Sequence, residues 1–211
     1  MKIEYFGHSC FLMRSEGRVR FLTDPYTGVG YDMPRAEAEY VTCSHGHFDH
    51  TFVEGVGGVR EVISSPGAYE RGGWKLEGIP AFHDEVRGAR RGKNIVFVFE
   101  ADGLRLCHMG DIGEAPSARL LDAIGRPDVL FIPVGGTYTV DAAGALDWVR
   151  AVRPGVAVAM HFRAPGCTLD IAPARSLEDA GAHCLKVPYE IDLSRMDEYA
   201  GKILIPERKD R

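Results

Sequence analysis

The chain has 211 residues, of which 45% are hydrophobic and 26% are charged, and its formal net charge is −5 at pH 7. The composition is that of a globular protein, and no tract approaches the roughly 18 consecutive apolar residues of a membrane helix. Because the N-terminal residues also lack the uniform apolar core of a secretory signal, we expect a cytoplasmic protein with one domain over residues 1–211. The acidic balance argues against nucleic-acid binding, which requires clustered Lys and Arg.

The first half of the chain is rich in strand patterns. A hairpin is predicted around the turn at residues 15–17, and a second hairpin around the Asp-Gly pair at residues 102–103. Another predicted strand ends in a histidine, His83. The strand runs are residues 2–14, 18–24, 40–44, 74–85 and 94–111.

The second half alternates between helices and strands. Helical spacing is found at residues 115–125, 141–152 and 172–181, and buried strands are predicted at residues 128–134, 155–162 and 183–188. Both halves contain strands and helices, which indicates an α/β fold of two sheets packed face to face with helices outside. We expect the loops at the strand ends to contain the functional site.

The segment "CSHGHFDH", residues 43–50, is the strongest chemical signal. In an extended chain His45, His47 and Asp49 project from one face, and His50 follows where the chain turns. Imidazole nitrogens and carboxylate oxygens are the ligands that zinc and similar divalent ions take at about 2.0–2.2 Å. The segment therefore predicts part of a metal site.

A single loop cannot complete two coordination spheres, so further ligands are expected from elsewhere in the chain. Three candidates, His83, Asp111 and His161, each follow an apolar strand-like run. A lone histidine on such a run is usually structural, and His183 is assigned to that class. Four potential ligands within six residues, with three more at strand ends, favour a metal site over coincidence.

The motif "HGHFDH", followed by His83, Asp111 within "GD", and His161, resembles the metallo-β-lactamase fold superfamily. The segments "GHSCF", "FLTDP", "HMGDIG" and "IPVGGTYT" resemble, more narrowly, short metal-dependent hydrolases of the ascorbate-6-phosphate lactonase-like group. The resemblance implies an αβ/βα four-layer sandwich of two mixed β-sheets with helices on both outer faces. It says little about the substrate.

The resemblance also implies a ligand set for two divalent ions, with zinc expected and Mn, Fe or Ni chemically acceptable. One ion would be held by His45, His47 and His83, the other by Asp49, His50 and His161, and Asp111 would bridge them. Such a pair lowers the pKa of a shared water toward about 7 and polarises the attacked group. Asp49 and Asp111 are the candidate catalytic residues, since either carboxylate could carry a proton to the leaving group.

Other residues are candidates for supporting roles. In the resembling families the positions of His8 and Asp24 lie beside the metal site, where they would orient a ligand or contact substrate. The alternative, in which Asp24 merely starts a turn and His8 packs, has about equal weight. His108 is a possible substrate contact, and Cys10 is a weak candidate nucleophile without an orienting third group.

Two loops could contact substrate. A basic run that includes Arg90 and Arg91 follows His83 and could receive an anionic substrate, although such runs are more often solvated turns. The glycine-rich segment 134–143 is either a substrate loop or a plain connection into a helix capped by Asp141.

The leading functional hypothesis is a binuclear metal-dependent hydrolase of a small ester, lactone or phosphodiester. The alternatives are a nuclease-type phosphodiesterase of the same fold and a non-catalytic metal-binding or sensing module. The five cysteines are spread without a C-x-x-C pair, which argues against a disulfide framework or a cysteine-rich zinc module. The expected partner is a small molecule, and the oligomeric state stays open.

Overall fold

The computed structural model describes residues 1–210 and contains two large mixed β-sheets. Its strands are β1 Lys2–Gly7, β2 Cys10–Arg14, β3 Arg20–Thr23, β4 Ala36–Glu37, β5 Tyr40–Thr42, β6 Val56–Gly57, β7 Glu61–Ile63, β8 Gly67–Arg71, β9 Trp74–Phe82, β10 Lys93–Ala101, β11 Leu104–His108, β12 Val129–Pro133, β13 Val156–Met160, β14 Cys184–Val187, β15 Glu190–Ile191 and β16 Ile203–Pro206. Its α-helices are α1 Ala118–Ile124, α2 Ala142–Val152, α3 Ser176–Asp179 and α4 Met196–Tyr199.

The first sheet has six strands in the order β15-β1-β2-β3-β5-β7. Side chains alternate along β2, so that Phe11 and Met13 enter the central core while Cys10 packs in a second cluster on the opposite face. This period of two is the pattern of a strand that is covered on both faces. The last two strand pairs of this sheet, β3 with β5 and β5 with β7, are parallel.

The second sheet has eight strands in the order β14-β16-β13-β12-β11-β10-β9-β8. Strands β8 to β11 are antiparallel, and β11, β12, β13, β16 and β14 pair in parallel. The hairpin between β10 and β11 turns at Asp102 and Gly103, which both have positive φ angles, as the Asp-Gly signal predicts. Every residue of β12 and β13 is buried, which fits strands covered on both faces.

Aromatic side chains join the two sheets across the central core. The rings of Phe11 and Phe131 have centroids 4.2 Å apart, and those of Phe21 and Phe99 are 5.7 Å apart. Each pair takes one ring from each sheet. The Phe21–Phe99 distance falls in the range in which aromatic pairs add stability beyond area burial, and the Phe11–Phe131 rings pack closer still, so both pairs help to hold the sheets face to face.

The predicted sandwich of two mixed sheets is confirmed, and its outer layers differ from each other. Helices α1, α2 and α3 contact one another or the eight-stranded sheet on one side. The outer face of the six-stranded sheet is covered by residues of segment 26–57, which contains, besides β5 itself, only short 3₁₀ turns and the β4–β6 pair. Glycine, proline and alternating polar residues there prevent a longer helix.

Two predicted elements differ in detail. The run 2–14 is two antiparallel strands, because the chain reverses between Gly7 and Cys10 with positive φ angles at Gly7 and His8. The region after residue 188, where the sequence pattern predicts no helix or strand, contains β15, α4 and β16, and β16 inserts between β13 and β14. The predicted β-α-β-α-β order through β13 is confirmed. No helix within residues 1–210 is long and apolar enough to cross a membrane.

Candidate metal centre

The predicted ligands converge at one edge of the two sheets. The segment that contains His45 to His50 follows β5, His83 follows β9, Asp111 lies three residues after β11, and His161 follows β13. Strands β5, β11 and β13 each have a parallel neighbour, and loops after such strands gather at the same edge of a sheet. Residues up to 116 positions apart are thereby brought together.

The possible ligand atoms form three overlapping groups, each with all its atoms within 4.8 Å of one another. The groups are His45 with His47 and His83, then His8 with Asp49, His50 and His161, and finally His45 with His50 and Asp111. The first two match the predicted division of ligands, except that His8 joins the second group. The third group connects the two, which places Asp111 between them.

Asp111 lies at the centre of four imidazole rings. Its Oδ2 atom is 3.2 Å from Nε2 of His161, 3.3 Å from that of His50 and 3.4 Å from that of His83. The Nε2 atom of His45 is 3.8 Å away. His45 and His83 belong to the first group and His50 and His161 to the second, so this carboxylate oxygen lies between the two groups.

Several of these buried atoms have no hydrogen-bond partner of acceptable geometry in residues 1–210. They are Nε2 of His45 and His50, both ring nitrogens of His161, and Oδ1 of Asp111. An unsatisfied buried polar atom costs about 1–3 kcal/mol, so five at one point would be a large penalty in a site that binds nothing. Metal coordination would satisfy one nitrogen of each of the three rings and the Asp111 oxygen, and this nitrogen and oxygen donor set is the one that zinc and related ions accept.

The electrostatics favour a cation at the same point. Burial lowers the pKa of His45 to about 3, so its ring is neutral, as a metal ligand must be. Burial opposes ionisation of Asp111, but the facing rings of His161 and His50 hold the pKa of this carboxyl well below its usual value. Burial likewise opposes protonation of His50, yet Asp111 and Asp24 raise its pKa well above the ordinary value. The two carboxylates therefore attract positive charge to this position.

Asp24 holds His50 and the start of the histidine loop in place. It is fully buried, and its Oδ1 accepts a 2.7 Å bond from the Ser44 N–H while its Oδ2 accepts a 2.6 Å bond from the Ser44 hydroxyl. Nδ1 of His50 lies 2.9 Å from the same Oδ2. When the His50 ring is neutral and its Nδ1 donates to this carboxylate, its Nε2 presents a lone pair on the side of Asp111, as a metal ligand must.

His8 contacts the second group of ligands directly. Its Nε2 atom lies 3.2 Å from Oδ2 of Asp49, and its ring centroid is 4.2 Å from that of His161. The His8 carbonyl also accepts a 2.8 Å bond from the His161 N–H. The interpretation of His8 as a residue that merely packs is therefore incomplete, because it touches two candidate ligands.

Three non-glycine residues of the site have left-handed backbone conformations. The φ angles are 53° at His8, 40° at Asp24 and 51° at His161. Such conformations cost about 1–3 kcal/mol each and persist only when the surroundings impose them. The concentration of strain at buried polar residues of one site is typical of a functional centre.

Asn94 supports the site although the sequence did not single it out. Its side-chain NH₂ donates to the Met109 carbonyl at 2.9 Å, and its Oδ1 accepts a 3.0 Å bond from the Asp111 N–H. These bonds fix the turn that presents Asp111. Asn94 lies on β10, and its position beside the Asp111 turn follows from the antiparallel register of β10 and β11. The sequence alone does not give this register.

Gly113 permits the close approach of the Asp111 loop to His83. A Cβ atom at Gly113 would lie 2.4 Å from the carbonyl carbon of His83 and 2.5 Å from the backbone nitrogen of Asp84. Because backbone cannot swing aside, we expect Gly113→Ala to lower the free energy of unfolding by about 1–3 kcal/mol. Urea denaturation would measure the loss. Gly17→Ala is the control, since its Cβ would meet only Ser15 Oγ at 3.7 Å, and an equal effect of both changes would contradict this explanation.

Buried Asp84 organises the basic loop that follows His83. Its Oδ1 accepts N–H bonds from Val86 and Gly88, and its Oδ2 accepts those of Arg90 and Arg91, at 2.7–2.9 Å. Burial opposes ionisation, but these four donors lower the pKa of Asp84 to about 2. The loop is therefore an ordered turn built around one carboxylate.

The two arginines of this loop lie in different environments. Arg90 is exposed and forms an ion pair with Glu85. The Arg91 side chain donates a 2.6 Å bond to the Thr137 carbonyl and lies over the Tyr138 ring. Of the two arginines, only Arg91 lines an open cleft that is also lined by His45 and His47.

Four residues that the sequence analysis discussed are not members of the groups of possible metal ligands. Contrary to the prediction, His108 is unavailable to a substrate, because it is buried, its Nε2 bonds the Ser9 carbonyl at 2.9 Å, and its Nδ1 accepts from Gly110. Cys10 is buried in the outer cluster, and burial raises the pKa of its thiol well above the usual value, which argues against a nucleophile. His183 is exposed, far along the chain in the β14 region. Asp141 caps α2 as predicted, by accepting from Gly144.

A cleft of about 840 Å³ opens beside one group of ligands. His45 and His47 form part of its wall, and His47 is exposed. Clefts of roughly 300–1,000 Å³ are the usual size of small-molecule sites. The metal-ligating geometry is thus accessible to a small substrate.

Comparisons with known proteins agree with this geometry. The family described as "Beta-lactamase superfamily domain" matches residues 2–161. A UPF0173 metal-dependent hydrolase of Carboxydothermus hydrogenoformans is 31% identical, over 77% of this chain and 84% of its own. A similar hydrolase of Archaeoglobus fulgidus is 28% identical, over 77% of this chain and 83% of its own.

The solved structures include a Thermotoga maritima protein of the metallo-β-lactamase superfamily, named as a candidate Zn-dependent hydrolase. It superposes with a TM-score of 0.78 and 32% sequence identity, and 99% of each chain is covered. The narrower resemblance to the ascorbate-6-phosphate lactonase-like group stays a prediction. The matched family, the fold and the gathered histidines and aspartates together lead to one conclusion: this chain belongs to the metallo-β-lactamase superfamily, with the UPF0173 metal-dependent hydrolases among its relatives.

Proposed function

We propose that this protein is a binuclear metal-dependent hydrolase that acts on a small ester, lactone or phosphodiester. The observation that carries the proposal is the Asp111 carboxylate, which lies within 3.8 Å of four imidazole nitrogens that belong to two neighbouring groups of ligands. A single ion would leave one of these groups without a partner. Two ions would use both.

The proposed ligands follow the two groups. His45, His47 and His83 would hold one ion, Asp49, His50 and His161 would hold the other, and Asp111 would be shared between them, in line with the three groups of neighbouring ligand atoms. His8 positions Asp49 through the 3.2 Å contact between its Nε2 and Oδ2 of that carboxylate. Zinc fits this donor set best, and Mn, Fe or Ni would also be accepted.

When bound, two divalent ions supply Lewis acidity and lower the pKa of a coordinated water toward about 7. The residues of the chain provide the rest. Asp49 is partly accessible at its side chain, so it can receive a proton from the nucleophile and pass it to the leaving group. Asp111 is nearly inaccessible, which suits a bridging role better than proton exchange with solvent.

The test is to purify the protein without added metal, measure metal per chain by elemental analysis, and assay lactone, ester, thioester and phosphodiester panels. We expect about two ions per chain and turnover in one panel, as for other two-metal hydrolases. One ion per chain at saturating metal would contradict the binuclear assignment. Full occupancy with no turnover in any panel would favour the non-catalytic metal-binding module instead.

We expect Asp24→Asn to weaken metal binding by about 10–100-fold, the usual effect of losing a partner of a metal-ligating histidine. The asparagine NH₂ cannot accept from Nδ1 of His50, so the ring proton would move to Nε2 and block the proposed ligand atom. Competition with a chromophoric chelator would measure the affinity.

Asp128→Asn is the matched control for this change. Asp128 also accepts a backbone bond, 2.8 Å from the Arg105 N–H, but it precedes β12 at the opposite end of the strands. Its replacement should leave metal affinity unchanged. An unchanged affinity in the Asp24 variant would show that His50 does not depend on this carboxylate.

A further inference from the structure

The cleft beside His45 and His47 combines an apolar surface with a set of cations. Its apolar surface comes from both sides of the cleft, and the cations lie along the wall formed by the basic loop, β10 and α1. The apolar residues are Pro66, Pro80, Ala81, Phe82 and Ile95, and the cationic residues are Arg91, Lys93 and Arg119. No aspartate or glutamate lines this cleft in the described part of the chain. Such an arrangement is unusual for a protein with a net charge of −5.

The partners of these cations leave their charge largely uncompensated. Arg91 bonds the Thr137 carbonyl and lies 5.9 Å from the Tyr138 ring centroid, so its partners are neutral. Lys93 forms no ion pair within residues 1–210. Arg119 bonds the Pro80 carbonyl at 2.9 Å and forms a long ion pair with Glu114 at 4.0 Å, so Arg91 and Lys93 are the two cations of the cleft without an acidic partner in the described residues.

Arg90 provides the contrast within the same loop. Its guanidinium group is neutralised by Glu85 and stays outside the cleft lining. The two adjacent arginines therefore differ in where their side chains point and in whether an acidic residue balances their charge. In a turn that only faced solvent, we would expect no difference between the two arginines. Instead, Arg91, which faces the cleft, lacks an acidic partner, whereas Arg90 has one.

We propose that this cleft selects a substrate with an apolar body and one anionic group, either a carboxylate or a phosphate, and that Arg91 and Lys93 recognise the anion. The apolar body would pack on Pro66, Pro80 and Ile95, and the bond to be cleaved would lie at the end formed by His45 and His47. The cleavage step rests on the proposed function, whereas the anion selectivity is a property of the cleft and is measurable without turnover.

The test uses the metal-loaded protein and three six-carbon probes: hexanoate, hexyl phosphate and the neutral hexanamide. Isothermal titration would measure their binding to wild type, to the double variant R91Q/K93Q and to the control R90Q. Because Asp84 holds Arg90 and Arg91 through their backbone N–H groups, these side-chain changes leave the bonds between the loop and Asp84 intact. Any direct contact of the probes with the metal is common to all three proteins.

We expect the double variant to bind the preferred anion about 10-fold more weakly than wild type, with hexanamide unchanged. R90Q should bind every probe as wild type does. The stronger of the two anions identifies the carboxylate or the phosphate as the natural group. Equal weakening by R90Q, unchanged anion binding in the double variant, or no preference of wild type for either anion over hexanamide would each overturn the proposal.

A kinetic readout separates this proposal from the proposed function. If the protein hydrolyses esters, R91Q/K93Q should raise KM for an ester with a carboxylate on its acyl chain and leave kcat nearly unchanged. A neutral ester of equal length should show no such change. If the protein hydrolyses nothing, the titrations still decide whether the cleft selects anions.

Discussion

Replacing Asp111 by asparagine is expected to reduce hydrolysis by about 10³-fold, since loss of the proposed ions would remove about 4 kcal/mol of transition-state stabilisation. The carboxylate Oδ2 lies 3.2–3.8 Å from four imidazole Nε2 atoms. Asparagine keeps the shape but has no charge, and it presents an NH₂ group that cannot ligate a cation. Both proposed ions should therefore bind more weakly.

Elemental analysis and an assay on the best substrate of the panel would measure this effect. The control is Asp122→Asn on α1, because Asp122 is exposed and lies outside the ligand groups. Circular dichroism should show that both variants keep the same secondary structure. An Asp111→Asn protein that retains two ions per chain would exclude a bridging role for this carboxylate.

The fold could be predicted in outline because its signals are local. Alternation along β2, the Asp-Gly turn before β11, and the helical spacing that became α1 and α2 each depend on neighbours within a few residues. The reversal at His8 was missed because no glycine-asparagine turn marks it, and Gly7 alone was read as part of one strand. The strand β16 was missed because its place between β13 and β14 depends on pairing across the whole sheet.

The candidate ligands could be named from the sequence for a chemical reason. A histidine or aspartate that follows an apolar strand lies at the edge of the sheet where that strand ends. The sequence therefore predicts that His83, Asp111 and His161 lie near one another. Their individual roles at a metal stay predictions.

The supporting contacts could not be obtained in this way. Ser44 donates to Asp24 through its backbone N–H and its hydroxyl, and the Asn94 amide oxygen accepts from the Asp111 N–H, and no sequence spacing marks these contacts. The distinction between Arg90 and Arg91 depends on which side chain a single turn directs at the cleft. A turn held by four bonds to Asp84 can point two adjacent side chains in opposite directions. The sequence alone does not indicate which of the two points into the cleft.

The strained residues connect the fold to the proposed chemistry. His8 and His161 have left-handed φ angles, and the His161 N–H donates to the His8 carbonyl at 2.8 Å. This bond couples the β1–β2 turn of one sheet to the end of β13 in the other. The conformations that present the two rings thus depend on correct packing of both sheets, and the site forms only when the sandwich is complete.

We expect the protein to lose one of its two proposed ions when a ligand that belongs to only one group is replaced by alanine. His161 and Asp49 belong to the second group, so His161→Ala and Asp49→Ala should each reduce the metal content from about two ions per chain toward one, because the first group keeps its three histidines. Hydrolysis should fall by about 10²-fold or more, since one ion can no longer clamp both the attacking and the leaving oxygen.

The complementary change is His47→Ala in the first group. His47 is exposed, so its removal creates little cavity, and the protein should retain the second ion while losing the first. The control is His183→Ala, which removes an exposed histidine outside every ligand group. Elemental analysis of the four proteins, with thermal unfolding to confirm folding, distinguishes two sites from one. Retention of both ions after His161→Ala or Asp49→Ala would refute the proposed division of ligands, because the loss of one protein ligand should weaken binding at that group enough for its ion to be lost during purification.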